Sequence, residues 1–308
     1  MGMTAVQVEG LHKRYGATVA MDDIGFTVGG GEVFGILGPN GAGKTTTVEA
    51  IAGLRVPDSG TVRVHGIDPW VDRPALTRTL GVQLQESRLQ AKITVREALE
   101  LWSAFYTDPV PWRELAERLG LETLLDQRFA TLSGGQQQRL SIALALVGRP
   151  RVAILDELST GLDPRARRDV WQLVRDLRRD GVTVLLVTHS MEEAQTLCDR
   201  IAIVDAGRIR ALDTPDGLVR NAAAATTTSF RASTVTDLGA RRELPGVVDV
   251  RTVSGRVTVD GEEGVALRVL EMLAAHGVTP RDLRITSGTL DSAYLDLTGV
   301  ATSEEEYS

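Results

Sequence analysis

The chain has 308 residues, 43% hydrophobic, 24% charged and 4% aromatic, with a formal charge of −7 and a pI near 5.3. That length suits one large domain plus a small one, with ample apolar material for a core. The acidic balance counts against broad nucleic-acid binding, and a single cysteine, Cys198, excludes an intrachain disulfide framework and fits a reducing compartment.

In chain order, Met1–Gly10 lacks the basic-then-apolar pattern of a signal peptide. Residues 1–220 alternate short apolar strands with amphipathic helices, which predicts an α/β domain with much parallel sheet. Glu32–Leu37 reads as a strand and Thr45–Leu54 as a helix. Between them Gly38-Pro39-Asn40-Gly41-Ala42-Gly43-Lys44-Thr45, followed by Thr46, fits the pattern G-x-x-x-x-G-K-[ST]. Glycines let backbone approach phosphate oxygens, amides at a helix start bind anions, Lys44 supplies a point charge, and the Thr45 hydroxyl can ligate Mg²⁺. An ordinary glycine-rich turn would rarely add the lysine and hydroxyl at this spacing between a strand and a helix.

Residues from about Gln90 to Thr131, or to about 140 with the helix that follows, read as a helical insertion. Trp102, Phe105 and Tyr106 fall at i, i+3, i+4 and are expected to form the insertion's own small core. A docking groove for a partner helix is the alternative. Leu132-Ser133-Gly134-Gly135-Gln136 then opens a helix, Gln136–Val147, so its amides form a second anion site at a helix N-terminus. One compact site does not readily use two such cradles.

Arg151–Asp156 and Val182–Thr188 are near-continuous apolar runs, expected for strands covered on both faces. The first ends in Asp156 and Glu157, at the carboxyl end of a buried strand where α/β sheets bind ligands. Neighbouring strand residues face opposite sides, so the pair need not share a job: Asp156 is placed to hold the Mg²⁺ shell, and Glu157 would polarise the attacking water. Pro164–Arg179 reads as a helix with Pro near its start. Cys198 is expected to be a small buried residue on a helix. The longest apolar runs, such as Ile142–Val147 and Val184–Val187, are far shorter than the ~20 residues of a spanning helix. A membrane role therefore requires a partner.

Beyond Arg220 the composition shifts. Asn221–Thr228 reads as a linker; Ser229–Thr234, Val247–Val253 and Arg256–Val259 as short strands; Val265–His276 as an amphipathic helix; and Arg284–Ile285 as part of a last strand. This gives a small α+β domain over residues 229–302 and an acidic tail at 303–308.

The Leu132–Gln136 run together with the phosphate cradle resembles the ATP-binding subunits of ABC transporters, and the resemblance covers about Val6 to Leu218. It implies a P-loop NTPase core with a helical subdomain, hydrolysis of Mg-ATP, and two copies joined head-to-tail so that Ser133, Gly134, Gly135 and Gln136 of one cap the γ-phosphate held by the other. It further implies that Tyr15 stacks on adenine, that Gln85 senses Mg²⁺ and faces the membrane partner (Gln83 being a weaker candidate), that Asp163 of Thr160–Asp163 crosses the dimer interface, and that His189 contacts the γ-phosphate. The family commonly has proline after the catalytic glutamate; Leu158 stands here, which loosens the backbone at that point. Thr289–Gly299 resembles the ending of the daunorubicin-resistance type of bacterial drug exporter. The resemblance thus implies export driven through a separate permease at the inner face of the membrane. The rivals are a soluble ABC ATPase acting on ribosomes or nucleic acid, and a nucleotide switch that does not hydrolyse; the absence of a second cassette and the presence of Glu157 and His189 count against them.

Overall fold

The structure is a computed structural model that describes residues 3–84, 89–221, 226–232, 244–253, 255–262, 264–287 and 289–298. It divides into two compact units, residues 1–212 and 213–308.

In the first unit, β1 (Thr4–Tyr15), β2 (Thr18–Gly29) and β4 (Ser59–Val64) form an antiparallel sheet in the order β2-β1-β4. In β2, Ile24, Phe26 and Val28 alternate with exposed residues, the period of a sheet with one buried face. The second sheet has the order β5-β6-β7-β3-β8-β9, from β3 (Val33–Leu37), β5 (Leu80–Gln83), β6 (Val152–Asp156), β7 (Thr183–Thr188), β8 (Arg200–Asp205) and β9 (Arg208–Asp213). The pairings among β5, β6, β7, β3 and β8 are parallel. Every residue of β3, β6 and β7 is buried, as their unbroken apolar runs predict. The register sets Leu37 beside Thr188 and Asp156 beside Val187, so three adjacent strands end level with one another.

Helices α1 (Lys44–Ile51), α2 (Arg73–Thr79), α6 (Pro164–Arg179) and α7 (Met191–Leu197) belong to this unit. The sequence reading of Pro164–Arg179 has the same ends as α6: Asp163 caps it by accepting from the Arg165 and Ala166 amides at 2.9 and 3.0 Å, Pro164 opens it, and Gly181 at φ +84° follows it. Its buried stripe, Val170, Leu173, Val174 and Leu177, has helical spacing. Cys198 is buried just past the end of α7 rather than within it, and burial pushes its thiol pKa up.

The insertion contains α3 (Val95–Ser103), α4 (Trp112–Arg118) and α5 (Gly134–Leu146). Its buried residues are chiefly aliphatic, among them Val95, Leu99, Leu115, Leu121 and Leu140. The aromatic core predicted there is not what packs: α3 stops at Ser103, Phe105 is 71% exposed, and Trp102 and Tyr106 are half-buried.

The second unit begins with α8 (Pro215–Arg220), which packs against α10 (Leu290–Thr298), so the division precedes the predicted one at residue 220. The strands β10 (Thr226–Ala232), β11 (Val247–Val253), β12 (Arg256–Gly261) and β13 (Pro280–Ser287) form an antiparallel sheet in the order β11-β12-β10-β13. Residues 226–228, expected in a linker, are already strand. Helix α9 (Val265–Ala275) covers the sheet through Val265, Val269 and Leu273 against Phe230, Val257 and Val259. The acidic tail at 303–308 lies outside the described residues.

Candidate functional site

Strand β3 is buried, and the chain leaving it must turn within a few residues into α1. Three glycines make this possible. A Cβ on Gly38 would stand 2.1 Å from the Val204 carbonyl oxygen, and one on Gly43 would stand 2.1 Å from that of Ala20. Gly43 also has φ +102° and Gly41 φ +81°, where side chains are strained. The loop therefore lies pressed against backbone on its inner side.

Residues 38–46 wrap Lys44, which is 7% exposed and donates to the carbonyls of Gly38 and Pro39 at 2.7 and 2.9 Å. Burial lowers its pKa, while Glu157 and Asp156 pull it back up. The loop, Ala20, Asp156 and Glu157 line a cavity of about 280 Å³, with Thr45 exposed at its mouth and Ala42 buried beneath. A larger hollow, about 480 Å³ between α4 and α6, is not lined by such a glycine-rich loop. Volume does not decide the site; the clustering of anion donors and carboxylates does.

The two carboxylates line the same cavity and do not fall on opposite faces of the sheet, because β6 ends at Asp156 and the backbone turns left-handed at Glu157; they are held differently all the same. Asp156 is 2% exposed, and Gln83 brackets its backbone: the Gln83 side chain accepts from the Asp156 amide at 3.1 Å and donates to its carbonyl at 3.2 Å. Gln83 thus fixes the end of β6 from β5, a role that sequence reading missed; a polar residue inside an apolar strand was the available signal. Glu157 takes φ +50°, a left-handed conformation rare for non-glycine residues, with its amide donating to the Val187 carbonyl at 2.8 Å. Its Oε1 lies 3.2 Å from His189 Nδ1, and Thr160 Oγ1 donates to Oε2 at 3.4 Å. Leu158, in the proline position, is fully buried.

The structure therefore brings Lys44, Thr45, Thr46, Asp156, Glu157 and His189 together at the carboxyl ends of β3, β6 and β7. Other predicted residues stand apart. Ser133 caps α5, with Gln136 closing the reciprocal bond: Gln136 N–H to Ser133 Oγ at 3.4 Å and Ser133 N–H to Gln136 Oε1 at 2.8 Å. Gly134 and Gly135 follow, and none of Ser133, Gly134, Gly135 and Gln136 lines the cavity. Asp163 spends its carboxylate on the α6 amides, which lowers its pKa. Tyr15 is 40% exposed, with the Arg55 guanidinium and Lys13 ammonium 5.4 and 5.7 Å from its ring centroid. Gln85 lies outside the described residues.

The donor set fits a nucleotide triphosphate: close backbone approach enforced by glycine, one buried ammonium, and an adjacent hydroxyl and carboxylate of the kind that share a hard cation. Comparison with known proteins agrees. Residues 21–160 match the ABC transporter family. The chain is 38% identical over 314 residues to daunorubicin resistance ATP-binding protein DrrA3 of Streptomyces coeruleorubidus, covering 97% of each. It is 41% identical over 227 residues to Nod factor export ATP-binding protein I of Paraburkholderia xenovorans, covering 71% of this chain and 74% of that one. Among solved structures, an ATP-binding subunit of an ABC transporter superposes with a TM-score of 0.65 at 29% identity, covering 70% of this chain and 92% of the other. A dimeric bacterial ABC transporter cassette superposes at 0.63 and 28%, covering 68% and 98%. This chain belongs to the ABC transporter ATP-binding family, cassettes that bind and hydrolyse ATP.

Proposed function

We propose that the chain is the motor subunit of an exporter, hydrolysing Mg-ATP to drive a separate membrane permease for a drug or other hydrophobic cargo. The observation that carries this reading is the convergence of Lys44, Asp156 and Glu157 on one cavity, with His189 against Glu157, while Ser133–Gln136 lie outside it. A second copy placed head-to-tail would supply those amides to the γ-phosphate, and Asp163 would lie at that interface. The export names of the relatives support the direction of transport, and the match to the daunorubicin resistance protein extends over the second unit as well.

In the proposed reaction Gly38–Thr46 wrap the phosphates and Lys44 neutralises the β- and γ-oxygens. Thr45 and Asp156, with Gln85, would hold Mg²⁺, which supplies charge neutralisation across the phosphates when bound. Glu157 accepts hydrogen bonding from the water that attacks in line, and His189, poised beside it, contacts the γ-phosphate. Tyr15 would stack on adenine.

The permease needs a docking place. Among the described residues no helix is long and apolar enough to cross a membrane. A hollow of about 220 Å³ between α2, β5, α3 and α5 is lined by Leu54, Leu76, Val82, Trp102 and Tyr106. A second, of about 470 Å³, adjoins it at Tyr106 and holds the exposed Phe105. Gly148 makes room there: a Cβ would stand 2.3 Å from the Tyr106 ring. Arg73, Arg78, Asp108 and Arg149 also line these hollows, so a short partner helix would meet aromatic and charged groups together.

The test is the solution mass of Glu157→Gln with and without Mg-ATP. A shift from monomer to dimer on adding ATP supports the two-chain site. A monomer that binds ATP at every concentration refutes it for the chain alone, and reconstitution with the permease then decides whether the partner assembles the site.

A further inference from the structure

Glu193 is 0% exposed, a carboxylate wholly inside the first unit. Its Oε1 accepts from Trp171 Nε1 at 3.1 Å, and Oε2 has no hydrogen-bond partner among the described residues. Burying a carboxyl group with one oxygen unpartnered is costly, and replacing such buried polar pairs by apolar residues of similar volume is often neutral or stabilising. The arrangement therefore favours direction over stability: one oriented bond, where looser packing would serve as well for the fold.

What that bond joins is informative. Trp171 lies two turns into α6, the helix capped by Asp163 at the end of the Thr160–Asp163 loop. Glu193 lies in the first turn of α7, whose cap, Ser190, directly follows His189. The first turn of α7 is tied back to β7: Glu193 N–H donates to Ser190 Oγ at 3.3 Å, and Ser190 N–H to Thr188 Oγ1 at 3.0 Å. A shift of Glu193 is thus passed to Ser190 and to the adjoining His189, whose Nδ1 lies 3.2 Å from Glu157 Oε1. A second tie, Arg167 to Glu192 at 3.0 Å, runs parallel, but Glu192 is 67% exposed and an exposed ion pair constrains little.

We propose that Glu193 is a positioning residue for hydrolysis, its bond from Trp171 coupling the Thr160–Asp163 loop to the His189 imidazole. Displacement of that loop is carried along α6 and through this bond to the start of α7.

The experiment compares wild type, Trp171→Phe, Glu193→Gln and the double variant Trp171→Phe/Glu193→Met. It reads kcat and KM for Mg-ATP, the thermal midpoint, and the ring resonances of His189 in the nucleotide-free chain. Trp171→Phe is expected to lose about ten-fold in kcat with KM within about two-fold, and to move the His189 resonances. Glu193→Gln keeps an acceptor for the indole and should stay within about three-fold of wild type. The double variant should melt at or above wild type and still show the low kcat. Should it regain wild-type kcat, or should Trp171→Phe leave both kcat and the His189 resonances unchanged, the pair is packing alone and the proposal falls. If Trp171→Phe fails to fold, the double variant decides. A wild-type chain without turnover would bear on the catalytic reading instead, leaving the His189 resonances to judge the coupling.

Discussion

Gly43→Ala isolates the close approach that shapes the phosphate loop. At φ +102° an alanine is strained by about 1–2 kcal/mol, and its Cβ would stand 2.1 Å from the Ala20 carbonyl oxygen. Contact distances being well above 3 Å, β2 and the loop must separate by about 1 Å. A displacement of that size at groups aligned for reaction costs on the order of 100-fold. Gly181 supplies the control, since it has φ +84° but nothing within 4 Å of its Cβ position, at the far end of α6. Gly181→Ala should therefore lose about 1–2 kcal/mol, a midpoint drop of roughly 2–6 °C, and keep its turnover. Steady-state phosphate release, equilibrium binding of a fluorescent ATP analogue and thermal melts would be measured on both. Binding and kcat/KM of Gly43→Ala within three-fold of wild type would refute the reasoning. So would equal losses of turnover in the two variants, which would make backbone strain, and not displacement of the loop, the cause.

Gln83→Leu removes both side-chain bonds to the Asp156 backbone; urea titration should show a loss of about 1–3 kcal/mol, with kcat reduced as well. Asp163→Ala strips the α6 cap and should cost about 1 kcal/mol in the same titration, whereas Asp163→Asn should cost less. Phe105→Asp should leave ATPase activity of the isolated chain unchanged and abolish stimulation by the reconstituted permease; full stimulation would remove Phe105 from the docking surface. Glu157→Gln should retain ATP in equilibrium dialysis while phosphate release falls by at least about 100-fold.

The catalytic half of the fold was legible because burial on both faces leaves an unmistakable trace. Strands β3, β6 and β7 read as unbroken apolar runs, and the motif residues follow them directly. Helix α6 announced both ends, through Asp163-Pro164 and Gly181. The antiparallel sheet was missed although Ile24, Phe26 and Val28 alternate cleanly, because its central strand β1 breaks the period, with register shifts at Leu11 and Lys13. Helix α10 was also missed. Leu290, Ala293 and Tyr294 are its buried face, but two aspartates, a serine and a threonine within nine residues obscure the period. The aromatic trio near Trp102 shows the limit of spacing arguments. Its i, i+3, i+4 pattern is genuine, yet the helix ends before Phe105, and the ring of Tyr106 rests against Gly148, far away in sequence. Within the candidate site, residue types and order could be read directly. The left-handed backbone of Glu157 could not, since it depends on the Val187 carbonyl of a neighbouring strand.

Cys198 offers an experimental opening. Its sulfur lies where a Cβ on Gly35 would come within 2.8 Å, wedged against the strand that leads into the phosphate loop, and burial keeps the thiol protonated. Thiol-directed labels react with exposed thiolates, so the native chain should stay unlabelled under mild conditions. Cysteines introduced at Thr18 and Thr123, both on the surface, would then be the sole attachment points for a pair of spin labels or fluorophores. One would ride on the β1–β2 hairpin and the other on the helical insertion. Their separation, followed through a turnover, would report swinging of the insertion against the antiparallel sheet without removal of a native cysteine.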